Sequence, residues 1–261
     1  MTTKFVRRNT NILVLNPNSS SEMTLVIERA IKSVELLPST QVFTYTAPPE
    51  SPKSINDGQD IAESTGVVYR DLETTPLFEK YDAVLVACFS VHPLVAKLQA
   101  KASLTPHGSV RAVTGIFEAS ILTCLSLVAP HKKWGIVTTG KFWEDHLVQG
   151  VNDFLGAEPH ARNSKFIGVE TTGLDAGDFH SVSPAVIREK LSEATRRLLA
   201  KGQVDCVVMG CAGMAGLEEI IRSVAVETYG LEVGRKVLII DGVKAGVGLL
   251  EQMVRNKQAF S

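Results

Sequence analysis

The sequence predicts an α/β fold of two pseudo-symmetric lobes, each a mainly parallel sheet flanked by helices, with a cleft between them. Three observations carry this. Short apolar runs alternate with longer helical stretches. The runs are continuous rather than alternating, as in parallel strands covered on both faces. Landmarks also recur at one fixed offset. Asp82 and Cys88 frame five mostly apolar residues, as do Asp205 and Cys211, and the two cysteines are 123 positions apart (211 − 88). Val14 in NILVLNPN and Val137 in WGIVTTGK are separated by the same 123 (137 − 14).

Taken in order, Asn11–Asn16 reads as the first strand, and Ser19–Ser21 supplies a cap for a helical stretch to about Leu37. Gln41–Thr46 is a strand, and the proline-rich loop Ala47–Asn56 leads to a helix from about Asp57 to Glu73. Asp82–Ala87 is a buried strand ending at Cys88. Val110–Thr114, Gly135–Thr139, Phe166–Glu170, Asp205–Gly210 and Lys236–Ile240 repeat the pattern, with helical windows between them. Residues 1–118 and 119–239 form the two lobes. The last strand and helix, Lys236–Asn256, are expected to fold back onto the first half, because each lobe needs its sheet edge covered; in domain terms 240–261 joins 1–118.

A chain of 261 residues with 44% hydrophobic and 21% charged residues has ample material for a core and reads as an ordinary globular protein. A net charge of −1 gives no electrostatic reason to expect nucleic acid or an anionic membrane as partner. No run approaches the roughly 18–20 apolar residues of a membrane span. Met1–Thr10 is basic and polar with no apolar signal core, so a cytoplasmic protein is expected.

The four cysteines are Cys88, Cys124, Cys206 and Cys211. A core-sufficient chain without a secretion signal does not call for a disulfide framework. No second cysteine or histidine pair completes a zinc set around Cys206 and Cys211, so no metal is expected. Cys124, in the apolar helix SILTCLSLVA, and Cys206, inside a strand, read as packing residues. Cys88 and Cys211 differ, because both follow the carboxyl end of a strand, where open parallel sheets bind ligands. If the halves are related by a pseudo-two-fold, the two thiols face one another across the cleft.

Inverting a stereocentre next to a carbonyl needs a base on one face and an acid on the other, and the roles reverse for the opposite enantiomer. Two equivalent thiols suit that task. A thiol, ordinarily near 8.5, is tuned towards neutrality by a helix N-terminus, and both cysteines precede helical windows. Backbone N–H groups there can also hold the enolate oxygen. Asn16-Pro17-Asn18-Ser19-Ser20 and its counterpart Thr138-Thr139-Gly140-Lys141 close strands at the cleft; Asn16, Asn18, Thr138 and Thr139 are candidate substrate-positioning residues, against the plainer reading of capped βα turns. His92 is either a partner for Cys88 or, the favoured reading, a turn residue before Pro93. GCAGMAG and DGVKAGVG match neither the P-loop nor the full dinucleotide fingerprint.

LNPNSS, VACFS around Cys88, TGIFEAS (Thr114–Ser120), WGIVTTG (Trp134–Gly140), VVMGCAGM around Cys211 and IDGVKAG (Ile240–Gly246) together resemble the hydantoin and allantoin racemases of the Asp/Glu racemase superfamily, and most of all its fungal Dcg-type branch. The likeness spans nearly the whole chain. It implies two α/β lobes, a small-molecule substrate in the cleft, no cofactor and homo-oligomeric assembly. It also implies that Cys88 and Cys211 are the acid/base pair. By position, Asn16, Thr138, Thr139, Ala212 and Gly213 match substrate-contacting strand ends; Phe89, Ser90, Thr114 and Gly115 lie in the matching motifs. Ser54-Ile55 looks like a loop segment that closes near the site. Bacterial hydantoin racemases carry a Gly-Asp-Pro-Gly-like stretch after the first cysteine, and Ser90–Leu94 replaces it here, altering one wall of the pocket. The expected activity is racemisation of a 5-substituted hydantoin, allantoin first. A related cysteine-dependent amino-acid racemase, decarboxylase or cis–trans isomerase is the second reading, and a metabolite-binding sensor the third.

Overall fold

The computed structural model describes residues 9–104, 110–157 and 163–260. The first half runs β1 (Thr10–Asn16), α1 (Ser21–Lys32), β2 (Thr40–Thr46), α2 (Gly58–Glu73), the short α3 (Leu77–Lys80), β3 (Ala83–Val86), α4 (Pro93–Ser103), β4 (Ala112–Gly115) and α5 (Ile116–Leu127). The second runs β5 (Trp134–Thr138), α6 (Trp143–Phe154), β6 (Phe166–Thr171), the short α7 (Asp178–Ser181), α8 (Pro184–Ala200), β7 (Cys206–Met209), a 3₁₀ turn (Ala212–Met214), α9 (Glu218–Tyr229), the short α10 (Leu231–Gly234), β8 (Leu238–Asp241) and α11 (Gly242–Phe260).

Each half builds a four-stranded parallel sheet, with orders β2-β1-β3-β4 and β6-β5-β7-β8. The same order in the same sequence of elements is what the 123-residue offset anticipated. The central strands are buried on both faces: Ala83, Val84, Leu85 and Val86 on β3, and Cys206, Val207 and Val208 on β7, are all 0% exposed. Such strands have no polar face to show, which is why they read as unbroken apolar runs.

The helices start where local chemistry directs. Ser20 caps α1 by accepting from the Met23 N–H, and Asp57 caps α2 by accepting from the Gln59 and Asp60 N–H groups. Met23, Val26, Ile27 and Ala30 then line the buried stripe of α1. Pro93 and Pro184 stand at the starts of α4 and α8, where a missing N–H costs nothing. α1 stops at Lys32, one turn short of Leu37, because the backbone N–H of Ser33 turns back to the carbonyls of Ala30 and Ile31.

The chain end departs from expectation in an informative way. The last strand does not fold back onto the first half: β8 pairs with β7, Leu238 opposite Cys206 through Asp241 opposite Met209, and completes the second sheet. Only α11 crosses, packing on β1, β3 and β4 of the first sheet. α5, which follows the first sheet's last strand, contacts β7 and β8 of the second. Each half therefore lends its final helix to the other, and α5 and α11 pack together between the sheets. At their crossing an added Cβ on Gly242 would meet Ser120 Oγ at 3.1 Å and Ile116 Cβ at 3.2 Å. One apolar core accordingly spans both sheets, from Ile12 and Leu85 through Ile116 and Ile121 to Trp134 and Val247. Among the described residues no helix is long and apolar enough to cross a membrane.

Candidate active site

The carboxyl ends of β1, β3, β5 and β7 converge on one small cavity between the halves. The first half contributes Asn18, Met23, Ile55, Ala87, Cys88 and Phe89; the second contributes Thr139, Trp143, Ala176, Gly210, Cys211 and Ala212. Both cysteines are free and partly exposed there. Among the described residues no charged side chain lines the cavity.

The two thiols are held differently. Cys211 sits at the head of the 3₁₀ turn, and its Sγ accepts from the Gly213 N–H at 3.3 Å. Cys88 Sγ lies 3.4 Å from Ser90 Oγ. Burial pushes the Cys88 thiol up to about 12; Ser90 opposes the rise, and the charges of Cys211 and Glu118 add to it. Burial pushes Cys211 up to about 11, against the backbone N–H groups of Gly213 and Met214. The expectation that helix starts tune both thiols towards neutrality is thus corrected. Desolvation of a small apolar cavity outweighs the few backbone donors that reach sulfur.

Asn18 lines the cavity; its Oδ1 accepts from Asn16 Nδ2 at 2.9 Å and from the Ser20 N–H at 3.0 Å. Thr139, Phe89 and Ala212 line it as well. Other expected residues stand one layer back. Asn16 spends its amide inside the β1–α1 turn, on Asn18, Ser20 and Thr24. Thr138 Oγ1 donates to the Gly210 carbonyl at 2.6 Å and ties β5 to the residue before Cys211. Gly210 must be small, since an added Cβ would lie 2.7 Å from Thr138 Cβ. Ser90 touches Cys88, and Gly213 backs Cys211. Thr114 and Gly115 end β4 beside β3 and do not line the cavity. Lys141, at the end of that segment, points to solvent and pairs with Glu144.

His92 does not reach the thiol. It is the N-cap of α4: its Nδ1 accepts from the Leu94 N–H at 3.4 Å and its Nε2 lies 3.2 Å from Ser64 Oγ, so it is the turn residue expected before Pro93. Cys124 and Cys206 are 0% exposed in the core, where α5 meets β7, and each is the other's thiol neighbour. The Ser90–Leu94 segment forms part of the seam between halves, Val91 packing against Gly150 of α6.

Ser54-Ile55 does come to the site. Ile55 lines the cavity, Ser54 Oγ accepts from the Gly177 N–H at 3.1 Å, and Asn56 Oδ1 accepts from the Ala176 N–H at 3.2 Å. Ser54 and Gly177 are themselves 123 positions apart. Two equivalent residues in contact lie on the pseudo-two-fold axis, so the loops after β2 and β6 meet over the cavity. Sequence reasoning missed Met23, Trp143 and Ala176. Met23 and Trp143 lie in the first turns of helices that follow cleft-ending strands, the position at which side chains face such a cleft.

Known proteins match this architecture end to end. The Asp/Glu/Hydantoin racemase family model covers residues 12–250. Protein DCG1 of Saccharomyces cerevisiae is 30% identical over 251 residues, covering 94% of this chain and 97% of that protein. A hydantoin racemase of Pseudomonas sp. is 27% identical, covering 93% of this chain and 85% of its own. The crystal structure of allantoin racemase from Pseudomonas fluorescens shares the fold, with a TM-score of 0.74, 22% identity and coverage of 95% of this chain and 92% of its own. With a full-length family match and its paired sheets in one order, the chain belongs to the Asp/Glu/Hydantoin racemase family.

Proposed function

We propose that the protein is a cofactor-independent racemase that inverts the stereocentre of a 5-substituted hydantoin, with allantoin as the leading candidate, through Cys88 and Cys211. The observation that carries this reading is the pair of thiols at equivalent strand ends on opposite walls of one cavity. One sulfur, as thiolate, takes the proton: the C–H bond breaks and an S–H bond forms. The other sulfur, as thiol, gives its proton to the opposite face. No net charge is created. The enolate oxygen formed between these steps finds donors in the side-chain amide of Asn18, the Thr139 hydroxyl and the Ala212 N–H that opens the 3₁₀ turn. A thiol raised by burial is rarely ionised at neutral pH, but its thiolate is a correspondingly stronger base for a carbon acid. The neutral lining supports a neutral ring over a free acidic amino acid, whose carboxylates call for basic partners.

The test is to incubate each allantoin enantiomer, and several 5-substituted hydantoins, with the protein in D2O. Deuterium at the stereocentre together with loss of optical rotation is expected. No exchange above the spontaneous background for any of them refutes the hydantoin assignment. Cys88→Ser and Cys211→Ser are each expected to abolish racemisation, each variant retaining exchange of one enantiomer only. Normal activity in either variant rules out two-thiol catalysis. Binding that survives in both, without any exchange in the native protein, would make the chain a metabolite sensor.

A further inference from the structure

Each half also carries a buried acid near the start of its last helix. Glu118 and Asp241 are also 123 positions apart (241 − 118), each 30 positions after its half's cysteine. Both stand at the starts of the exchanged helices, Glu118 in the first turn of α5 and Asp241 immediately before α11. Each has one carboxyl oxygen buried without a hydrogen-bond partner, Glu118 Oε2 and Asp241 Oδ2.

Their surroundings differ. Asp241 Oδ1 accepts from the N–H groups of Val243 and Lys244, capping α11, and the Lys244 ammonium tempers its charge. Glu118 folds back over Gly115, where any side chain would collide with its Oε2. Gly115 pairs with Val86, two residues before Cys88, and Asp241 pairs with Met209, two residues before Cys211, so each thiol has an acid behind it and the two acids differ in how they are held. The titratable groups at the ends of the surrounding elements nearest the start of α5 are Cys88 after β3, His92 before α4, Cys206 on β7, Asp241 at the end of β8 and Lys244 in the first turn of α11, while Lys97 and Lys101 lie farther along α4. Farther along α11, Glu251 is taken by Leu37 and Thr40. Of these groups it is Cys88 that feels the Glu118 charge. Burial raises the Glu118 carboxyl, and the amides of Glu118 and Gly115 oppose the rise.

We infer that the two thiols are unequal at rest: Cys211, whose sulfur accepts a backbone N–H, is the one that ionises first, Cys88 holds its proton more firmly, and Glu118 is the positioning residue that enforces the difference. This rests on the two-thiol reading and assigns its starting roles. A thiolate on Cys211 keeps the Gly213 N–H as a donor, and the Asp241 charge behind it is tempered by Lys244 and two backbone N–H groups, whereas a thiolate on Cys88 has only a neutral hydroxyl beside it and feels the Glu118 charge. The thiolate most readily formed in the free enzyme therefore makes Cys211 the base and Cys88 the acid. The enantiomer handled in the reverse sense draws on the rarer Cys88 thiolate.

The test uses iodoacetamide and needs no substrate. Native protein, Glu118→Gln and Glu118→Asp are alkylated between pH 6 and 9, and the Cys88 and Cys211 peptides are quantified by mass spectrometry. In the native protein Cys211 is expected to react about tenfold faster than Cys88 near neutral pH. Glu118→Gln removes the charge and keeps the shape, and it is expected to speed Cys88 by about threefold or more while leaving Cys211 within about twofold. Comparing the same cysteine across variants cancels differences in access. Glu118→Asp, which keeps the charge, is expected to leave Cys88 as slow as in the native protein. Were Glu118→Gln to lower stability without changing the Cys88 rate, Glu118 would be a helix-capping residue only and the inference would fail. It fails equally if Cys88 is the faster thiol in the native protein, or if the Asp variant matches the Gln variant. Unequal alkylation without hydantoin racemisation would refute the proposed activity and leave the thiol asymmetry standing.

Discussion

His92 links the site to the stability of the whole fold, and its protonation has a calculable cost. It is 2% exposed, caps α4 with its Nδ1 and reaches Ser64 Oγ with its Nε2. Burial alone holds its imidazole down at about 4, against an ordinary value of 6.5. With the folded value depressed, the unfolded chain binds a proton that the native protein refuses throughout that interval. Stability from this group is therefore present above pH 6.5 and is lost as pH falls towards 4. A difference of about 2.5 pH units at about 1.4 kcal/mol each comes to about 3.5 kcal/mol, of which about 3 kcal/mol is lost by pH 4.0, a large share of the roughly 5–15 kcal/mol that holds a typical domain together. His92→Asn provides the comparison, because asparagine is a strong N-cap that can still accept the Leu94 N–H but does not titrate. Urea unfolding at pH 7.5 and pH 4.0 should show the native protein losing about 3 kcal/mol more than the variant over that range. The carboxylates titrate alike in both proteins, so parallel losses would refute the assignment of a buried neutral imidazole.

Two further perturbations probe how the halves are joined. Gly246 of α11 packs on β3 so closely that an added Cβ would lie 2.5 Å from Leu85 Cδ1. Gly246→Ala is expected to cost about 1–3 kcal/mol by overpacking, read as a lowered urea midpoint with an unchanged slope; an unaltered midpoint would mean that α11 has room to shift. Ser54→Ala removes the acceptor for the Gly177 N–H across the cavity mouth and leaves the Asn56–Ala176 bond in place. One such hydrogen bond is worth about 1 kcal/mol, so KM for the substrate is expected to shift by up to about fivefold with little change in melting temperature. An unchanged KM would remove this loop from substrate binding.

Much of the architecture is legible in the chain because parallel strands buried on both faces must be apolar throughout. DAVLVA and DCVVMG show themselves without a partner in view. The cysteine pair is legible for a second reason: a strand end in a parallel sheet is a cleft position, and two such ends at one offset imply two facing walls. The misplaced last strand is instructive. Leu238–Asp241 looks alike whichever sheet receives it, because its own composition does not name its hydrogen-bond partner. Glu118 was equally hidden, since a glutamate in the first turn of a helix is ordinary capping chemistry until its oxygen is seen buried without a donor.

By itself the sequence determined the α/β class, the duplication and the two thiols, which are properties of local pattern and spacing. Only the tertiary structure decided what those thiols are. Desolvation in a shared apolar cavity raises both, and the 3₁₀ turn gives one of them a backbone donor. Glu118, in the first turn of α5, bears on the other, while Lys244 tempers the acid behind Cys211, so two cysteines that look equivalent along the chain become unequal in space.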